Sequence, residues 1–170
     1  MRRVSTPSDR VVVIGAGTTP LLAELLADGY ADIEAVDISS QALHELGDAL
    51  GDDDARITMR TADARQVDFE RLADVWHDRA VFHFFTDPTD RRRYAERAAD
   101  AVRPGGHLVI GTFSPDGPEQ CSGLPVARYA ATTLAAEFTG FELVDSFRRL
   151  PTTPWDSTQS FTHAVLRRVG

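Results

Sequence analysis

The chain has 170 residues, 42% of them hydrophobic and 26% charged, the proportions of one folded domain with a packed core. Its 18 basic residues are all arginine and face 26 acidic ones, so the net charge of −8 argues against a phosphate-backbone partner. Without lysine there is no P-loop, no Schiff base to pyridoxal phosphate and no Tyr-x-x-x-Lys dehydrogenase pair, and the lone Cys121 excludes an internal disulfide.

Residues 10–15 read RVVVIG, a β-branched run closed by glycine, as expected of a strand buried on both faces. Thr18-Thr19-Pro20 then caps a helix carrying Leu21, Leu22, Leu25 and Leu26, which stops at Gly29. A second strand is expected over 32–37, a helix after Ser39-Ser40, and a third strand over 55–59 with a turn at 61–64. A fourth strand over 72–76 ends at His77-Asp78. A helix over 89–102 stops at Arg103-Pro104-Gly105-Gly106, and a fifth strand follows over 107–113. The Pro/Gly/Ser-rich stretch 114–125 reads as a loop and 129–138 as a helix. The last two strands, 141–147 and 161–166, have no helix between them and should form an antiparallel hairpin.

These alternations predict a single α/β domain over 1–170: a doubly wound, mostly parallel seven-stranded sheet with a C-terminal antiparallel hairpin and helices on both faces. Residues 1–9 form an N-terminal extension. No apolar run approaches the roughly 18 residues of a membrane span and no secretory pattern opens the chain, so a cytoplasmic location is expected. No residue cluster has metal-ligand spacing.

Ligands of such sheets bind beyond the carboxyl ends of the strands. Gly15-Ala16-Gly17, Asp37-Ile38, Asp63-Ala64 and His77-Asp78 all fall there. The glycines permit a tight turn and close approach of a ligand to the main chain, although Pro20 interrupts a dinucleotide-type G-x-G-x-x-G. Asp37, about 20 residues further on, can accept hydrogen bonds from both hydroxyls of a ribose, or it can cap the next helix.

This combination resembles the class I S-adenosylmethionine-dependent methyltransferases. The resemblance implies a glycine motif at Gly15/Gly17, a ribose ligand at Asp37 and an adenine-side aspartate at Asp63, with the strand order 3-2-1-4-5-7-6 and the terminal hairpin of that fold. It implies S-adenosylmethionine as cofactor, S-adenosylhomocysteine as product, and cofactor contacts from Gly15, Ala16, Gly17, Asp37, Ile38, Asp63, Ala64 and, through its backbone, His77. Residues 74–84 are similar, more distantly, to the Asp-Lys-Gly-Thr segment of the methyltransferases acting on lysines of elongation factor 1A and citrate synthase. Asp78 and Arg79 match its first two residues, while Ala80 and Val81 replace glycine and threonine. Thr19 stands where the family usually has Gly or Ser. Only about nine residues precede the first strand, where many members carry cofactor-covering helices.

Methyl transfer from a sulfonium is an in-line displacement, and an amine or thiol acceptor needs a base nearby. Asp78 and His83 are the candidate bases; capping for Asp78 and core packing for His83 are the alternatives. Arg79, Cys121 and Trp155 are candidate acceptor-site residues, with Phe161 as a further wall. The acceptor itself is unidentified, and a homodimer is left open. A non-catalytic cofactor-binding module and a nicotinamide oxidoreductase are the competing functions.

Overall fold

The computed structural model describes residues 3–17, 19–150 and 159–170. Strands β1 (Val11–Ile14), β2 (Ile33–Asp37), β3 (Ile57–Thr61), β4 (Ala73–Arg79) and β5 (Val102–Phe113) pair in parallel. A two-stranded ribbon, β6 (Gln120–Cys121) with β7 (Leu124–Pro125), follows, and then the antiparallel pair β8 (Phe141–Arg149) and β9 (Phe161–Arg168). The main sheet has the order β3-β2-β1-β4-β5-β9-β8. With the ribbon set aside, this is the predicted topology: the loop expected over 114–125 contains the ribbon, and the hairpin is the final pair.

Helices α1 (Leu21–Ala27) and α2 (Ser40–Leu50) lie on one face, α3 (Pro88–Ala101) and α4 (Ala131–Ala136) on the other. Their starts follow local chemistry. Ser39 Oγ accepts Ala42 N–H at 3.2 Å, and Asp87 accepts Thr89 N–H at 2.6 Å just before Pro88. At the head of α1, Thr19 Oγ1 lies 3.4 Å from Leu21 N, a weak cap; Thr18 is outside the described residues. Among the described residues no helix is long and apolar enough to cross a membrane.

Boundaries moved where side chains outvote composition. Residues 51–56 form a 3-10 turn, so β3 starts at Ile57. β4 continues to Arg79, because its last residues keep pairing with Ile110 and Gly111 of β5.

Two cores flank the sheet. Val11, Val13, Val75 and Val109 meet Leu22, Leu25 and Leu43 on the α1/α2 side. Val12, Trp76, Leu108 and Ile110 meet Tyr94, Ala98, Leu134 and Phe138 on the α3/α4 side. Trp76 Nε1–H donates to Tyr94 Oη at 3.0 Å, and Tyr94 O–H donates to Asp78, all three fully buried. Tyr94→Phe therefore strands two buried polar groups at once. It should cost about 1–3 kcal/mol in denaturant unfolding; an unchanged midpoint would show that neither group depends on the phenol.

Candidate functional site

The five parallel strands end on one edge, and β1 and β2 build its centre. Gly15 and Gly17 both take positive φ, 65° and 43°. They serve different ends. A Cβ at Gly15 would run into Val81 Cγ2, so Gly15 admits the loop that follows β4. A Cβ at Gly17 would meet nothing nearer than Asp37 Oδ2, at 3.8 Å, leaving that backbone open to a ligand.

Asp37 ties the edge together. Its Oδ2 accepts Gly17 N–H at 3.0 Å and its Oδ1 accepts Ser39 N–H at 2.9 Å. Each carboxylate oxygen keeps a lone pair beyond these bonds. Ile38 beside it is 72% exposed. Ala16 and Ala64 are buried, so only their backbones are available to a ligand. Asp63 is gripped by Arg65, whose Nε reaches Oδ1 at 3.0 Å and whose Nη2 reaches Oδ2 at 2.6 Å. That guanidinium holds the Asp63 carboxyl below its ordinary range and also pairs with Asp90 at 2.7 Å.

At the tip of β4 the two-residue period separates neighbours. Asp78 turns toward α3 and is 1% exposed. It accepts Val81 N–H at 2.9 Å and Phe82 N–H at 3.0 Å as well as the Tyr94 hydroxyl. Burial pushes its carboxyl up to about 6, against the lowering effect of these bonds. The expected base is thus a buried cap for the 3-10 turn at Phe82–Phe84, with its oxygens spent on donors. His83 is likewise fully buried, packed on Phe84 and Phe113, and burial lowers it to about 4. Neither faces open space, and both expectations of a base are corrected on that ground.

His77 and Arg79 point the other way. They line a cavity of about 290 Å³ beneath the glycine turn, with Thr19, Pro20, Leu21 and Phe161. Both also line an adjoining cleft of about 730 Å³ over β4, β5, β9 and β8. His77 therefore enters by its side chain, not its backbone alone. Burial above all lowers it to about 3, so it is neutral at pH 7.

Phe147, Arg149 and His163 complete the cleft and were missed in the sequence. Their signal was alternation: Asp145, Phe147 and Arg149 on β8, and Phe161, His163 and Val165 on β9, each recur every second residue. Cys121, half-buried in the ribbon, lines neither cavity. Trp155 lies outside the described residues.

A family model described as a methyltransferase domain matches residues 11–106, more than half of the chain. The chain belongs to this methyltransferase family. No curated protein matches it. Among solved structures it is similar to an S-adenosylmethionine-dependent methyltransferase from Methanosarcina mazei, with TM-score 0.80, 15% identity, and coverage of 99% of this chain and 96% of that one. It is also similar to the N-methyltransferase NodS of Bradyrhizobium japonicum, with TM-score 0.77, 18% identity, and coverage of 99% and 92%. A third is the 1,6-didemethyltoxoflavin-N1-methyltransferase of Burkholderia thailandensis, solved with 1,6-didemethyltoxoflavin and S-adenosylhomocysteine. Its TM-score is 0.75 at 23% identity, with 95% of this chain and 72% of that one covered. At these identities the structures speak for the fold.

Within this methyltransferase domain the β4 tip makes two predictions. Ala80 holds a left-handed conformation, φ 65°, which costs a non-glycine residue about 1–2 kcal/mol. Ala80→Gly relieves it but frees the unfolded chain, so unfolding should show a net gain of about 0.5–1 kcal/mol; a loss would mean that the methyl group packs better than the backbone suffers. Asp78 in the native state keeps a proton up to about pH 6 that the unfolded chain releases near 3.8, so its contribution to stability falls as pH rises between them. The lowered histidines His77, His83 and His163 act oppositely, losing stability as pH falls below their unfolded value of 6.5. Asp78→Asn removes only the first effect. The stability of the wild type relative to this variant should therefore drop by roughly 2 kcal/mol from pH 4 to pH 7, followed by denaturant titrations; a flat difference would assign Asp78 an ordinary carboxyl.

Proposed function

We propose that the chain is an enzyme that binds S-adenosylmethionine at the glycine turn and passes its methyl group to an acceptor in the adjoining cleft. The observation that carries this is the Asp37 carboxylate, anchored by Gly17 N–H and Ser39 N–H beside a glycine whose Cβ position is open. A carboxylate so oriented has two free lone pairs at the spacing of a ribose diol. The family match supports the same chemistry. When bound, the cofactor supplies a sulfonium methyl: the nucleophile's lone pair forms the new bond as the carbon–sulfur pair returns to sulfur, leaving S-adenosylhomocysteine.

The chain's own residues bind and orient. Asp37 holds the sugar, the backbone of Gly15, Ala16 and Gly17 lies along the amino-acid end, and Ile38, Asp63 and Ala64 border the base, with Arg65 fixing the Asp63 carboxylate. His77 stands where the two cavities meet. Held neutral, its imidazole accepts a hydrogen bond from the acceptor, but its basicity is too low to store the proton, which leaves to solvent. Positioning of this kind can supply up to about 7–11 kcal/mol of the barrier. A cytoplasmic setting fits a chain with one cysteine.

Calorimetric titration with S-adenosylhomocysteine tests the reading. The wild type should bind saturably, and Asp37→Ala should weaken binding at least about tenfold, the loss of a charged hydrogen-bonding group. No binding to the wild type sinks the cofactor assignment; unchanged affinity in the variant sinks the role of Asp37. Saturable binding with no methyl transferred to any fraction of a cell extract would favour a non-catalytic module.

A further inference from the structure

We propose that the methyl acceptor is a small planar molecule with an anionic group, a carboxylate or a phosphate, gripped by Arg79 and Arg149. This rests on the methyltransferase reading above and names its substrate class. The cleft that adjoins the glycine-turn cavity holds about 730 Å³, within the roughly 300–1,000 Å³ of small-molecule sites.

Its floor is a single row of the sheet. Arg79 of β4 pairs with Gly111 of β5, Gly111 with His163 of β9, and His163 with Phe147 of β8. Gly111 is bare because the His163 ring lies over it; a Cβ there would stand 2.9 Å from that imidazole. His163 stacks on Phe147 with centroids 4.8 Å apart and planes 9° apart, and on Phe161 at 6.1 Å and 29°. The Arg79 guanidinium lies over Phe161 at 5.8 Å and that of Arg149 over Phe147 at 5.5 Å. The result is a ladder of flat groups, Arg79–Phe161–His163–Phe147–Arg149, with a cation at each end.

Charge decides what it suits. The chain is acidic, and Arg10, Arg60, Arg65 and Arg71 are each paired with carboxylates within 3.0 Å. Among the described residues Arg79 and Arg149 have no carboxylate partner. β8 runs in the same direction as β5, so Arg149 ends at the edge where β4 ends in Arg79. Three acids, Glu24, Asp28 and Asp145, also line the cleft; none of them pairs with Arg79 or Arg149, and Asp145 faces Arg3 at 3.6 Å. His163, lowered to about 4 by burial and then by the charges of Arg149 and Arg79, adds a neutral ring and no positive charge. Two guanidiniums without a carboxylate partner among the described residues, set on stacked rings in the cleft that adjoins the glycine-turn cavity, thus match an anion attached to a flat body.

The test uses the whole chain saturated with S-adenosylhomocysteine and titrated with salicylate, phenyl phosphate and neutral salicylamide. Both anions should bind at least about tenfold more tightly than salicylamide, the tighter of the two naming the headgroup. Arg79→Gln and Arg149→Gln should each abolish that preference. Arg149→Gln should leave S-adenosylhomocysteine affinity within about twofold, since Arg149 lines only the outer cleft. Equal binding of salicylamide, a preference surviving both substitutions, or no binding of either anion overturns the proposal. So does a dimer in sedimentation that seals the Phe147 face against the anions. The separate S-adenosylhomocysteine titration shows whether the cofactor reading has failed with it.

Discussion

The site depends on a carboxylate that faces away from it. Burying Asp78 without partners would be prohibitive, and three donors, two backbone amides and the Tyr94 hydroxyl, make it tolerable. Through those bonds α3 sets the turn after β4. That turn seats Val81 against Gly15, and Ala80 N–H reaches Gly111 O at 2.8 Å. The loops after β1 and β4 and the bare step in β5 are thereby locked to one another. A glycine turn held on both sides is a rigid surface for a ligand, whereas a free glycine loop would have to be ordered at an entropic cost on every binding event.

The same alternation that turns Asp78 inward turns His77 and Arg79 outward. The two faces of the sheet consequently do different work. On the α3/α4 face, aromatic rings close around Phe82 and Tyr94 at centroid distances of 4.9–5.7 Å, a packed aromatic core. On the other, α1 and α2 pack over the β1–β3 half, and the β4–β5–β9–β8 half is left with polar and aromatic side chains around a cleft. The glycine-turn cavity at the edge and the cleft on this face adjoin along Leu21, His77, Arg79 and Phe161, which line both.

Much of this was legible in the sequence. The β-branched runs and their glycine and proline stops locate the strands, the family resemblance supplies their order, and the missing helix between the last strands gives the hairpin. Gly15, Gly17 and Asp37 were legible because turn chemistry and spacing along the chain define them. What failed was direction. The strand was expected to end at His77-Asp78, but whether a tip residue faces helix or cleft depends on where β4 stops, and pairing with β5 carries it past Asp78 to Arg79. Arg65 escaped notice because its tie to Asp63 and Asp90 joins a turn to a helix 25 residues on. Phe147 and Arg149 escaped because the alternating pattern of β8 is almost wholly exposed and reads as an ordinary edge strand.

An anionic acceptor on a chain of net charge −8 poses an electrostatic problem that the placement of arginines answers. At physiological ionic strength fields decay over about 8 Å, so distant carboxylates are screened and only nearby charges count. Most arginines are cancelled by partners a few ångströms away and project little field. Among the described residues no carboxylate cancels Arg79 or Arg149, and low-dielectric rings beneath them, Phe161 and Phe147, limit their screening from below. The nearest imidazoles are neutral, so they neither add to this field nor repel a protonated amine on the same acceptor. An acidic protein can therefore present a local cationic rim beside its methyl-transfer site, and the sign of that rim, not the net charge, governs what enters.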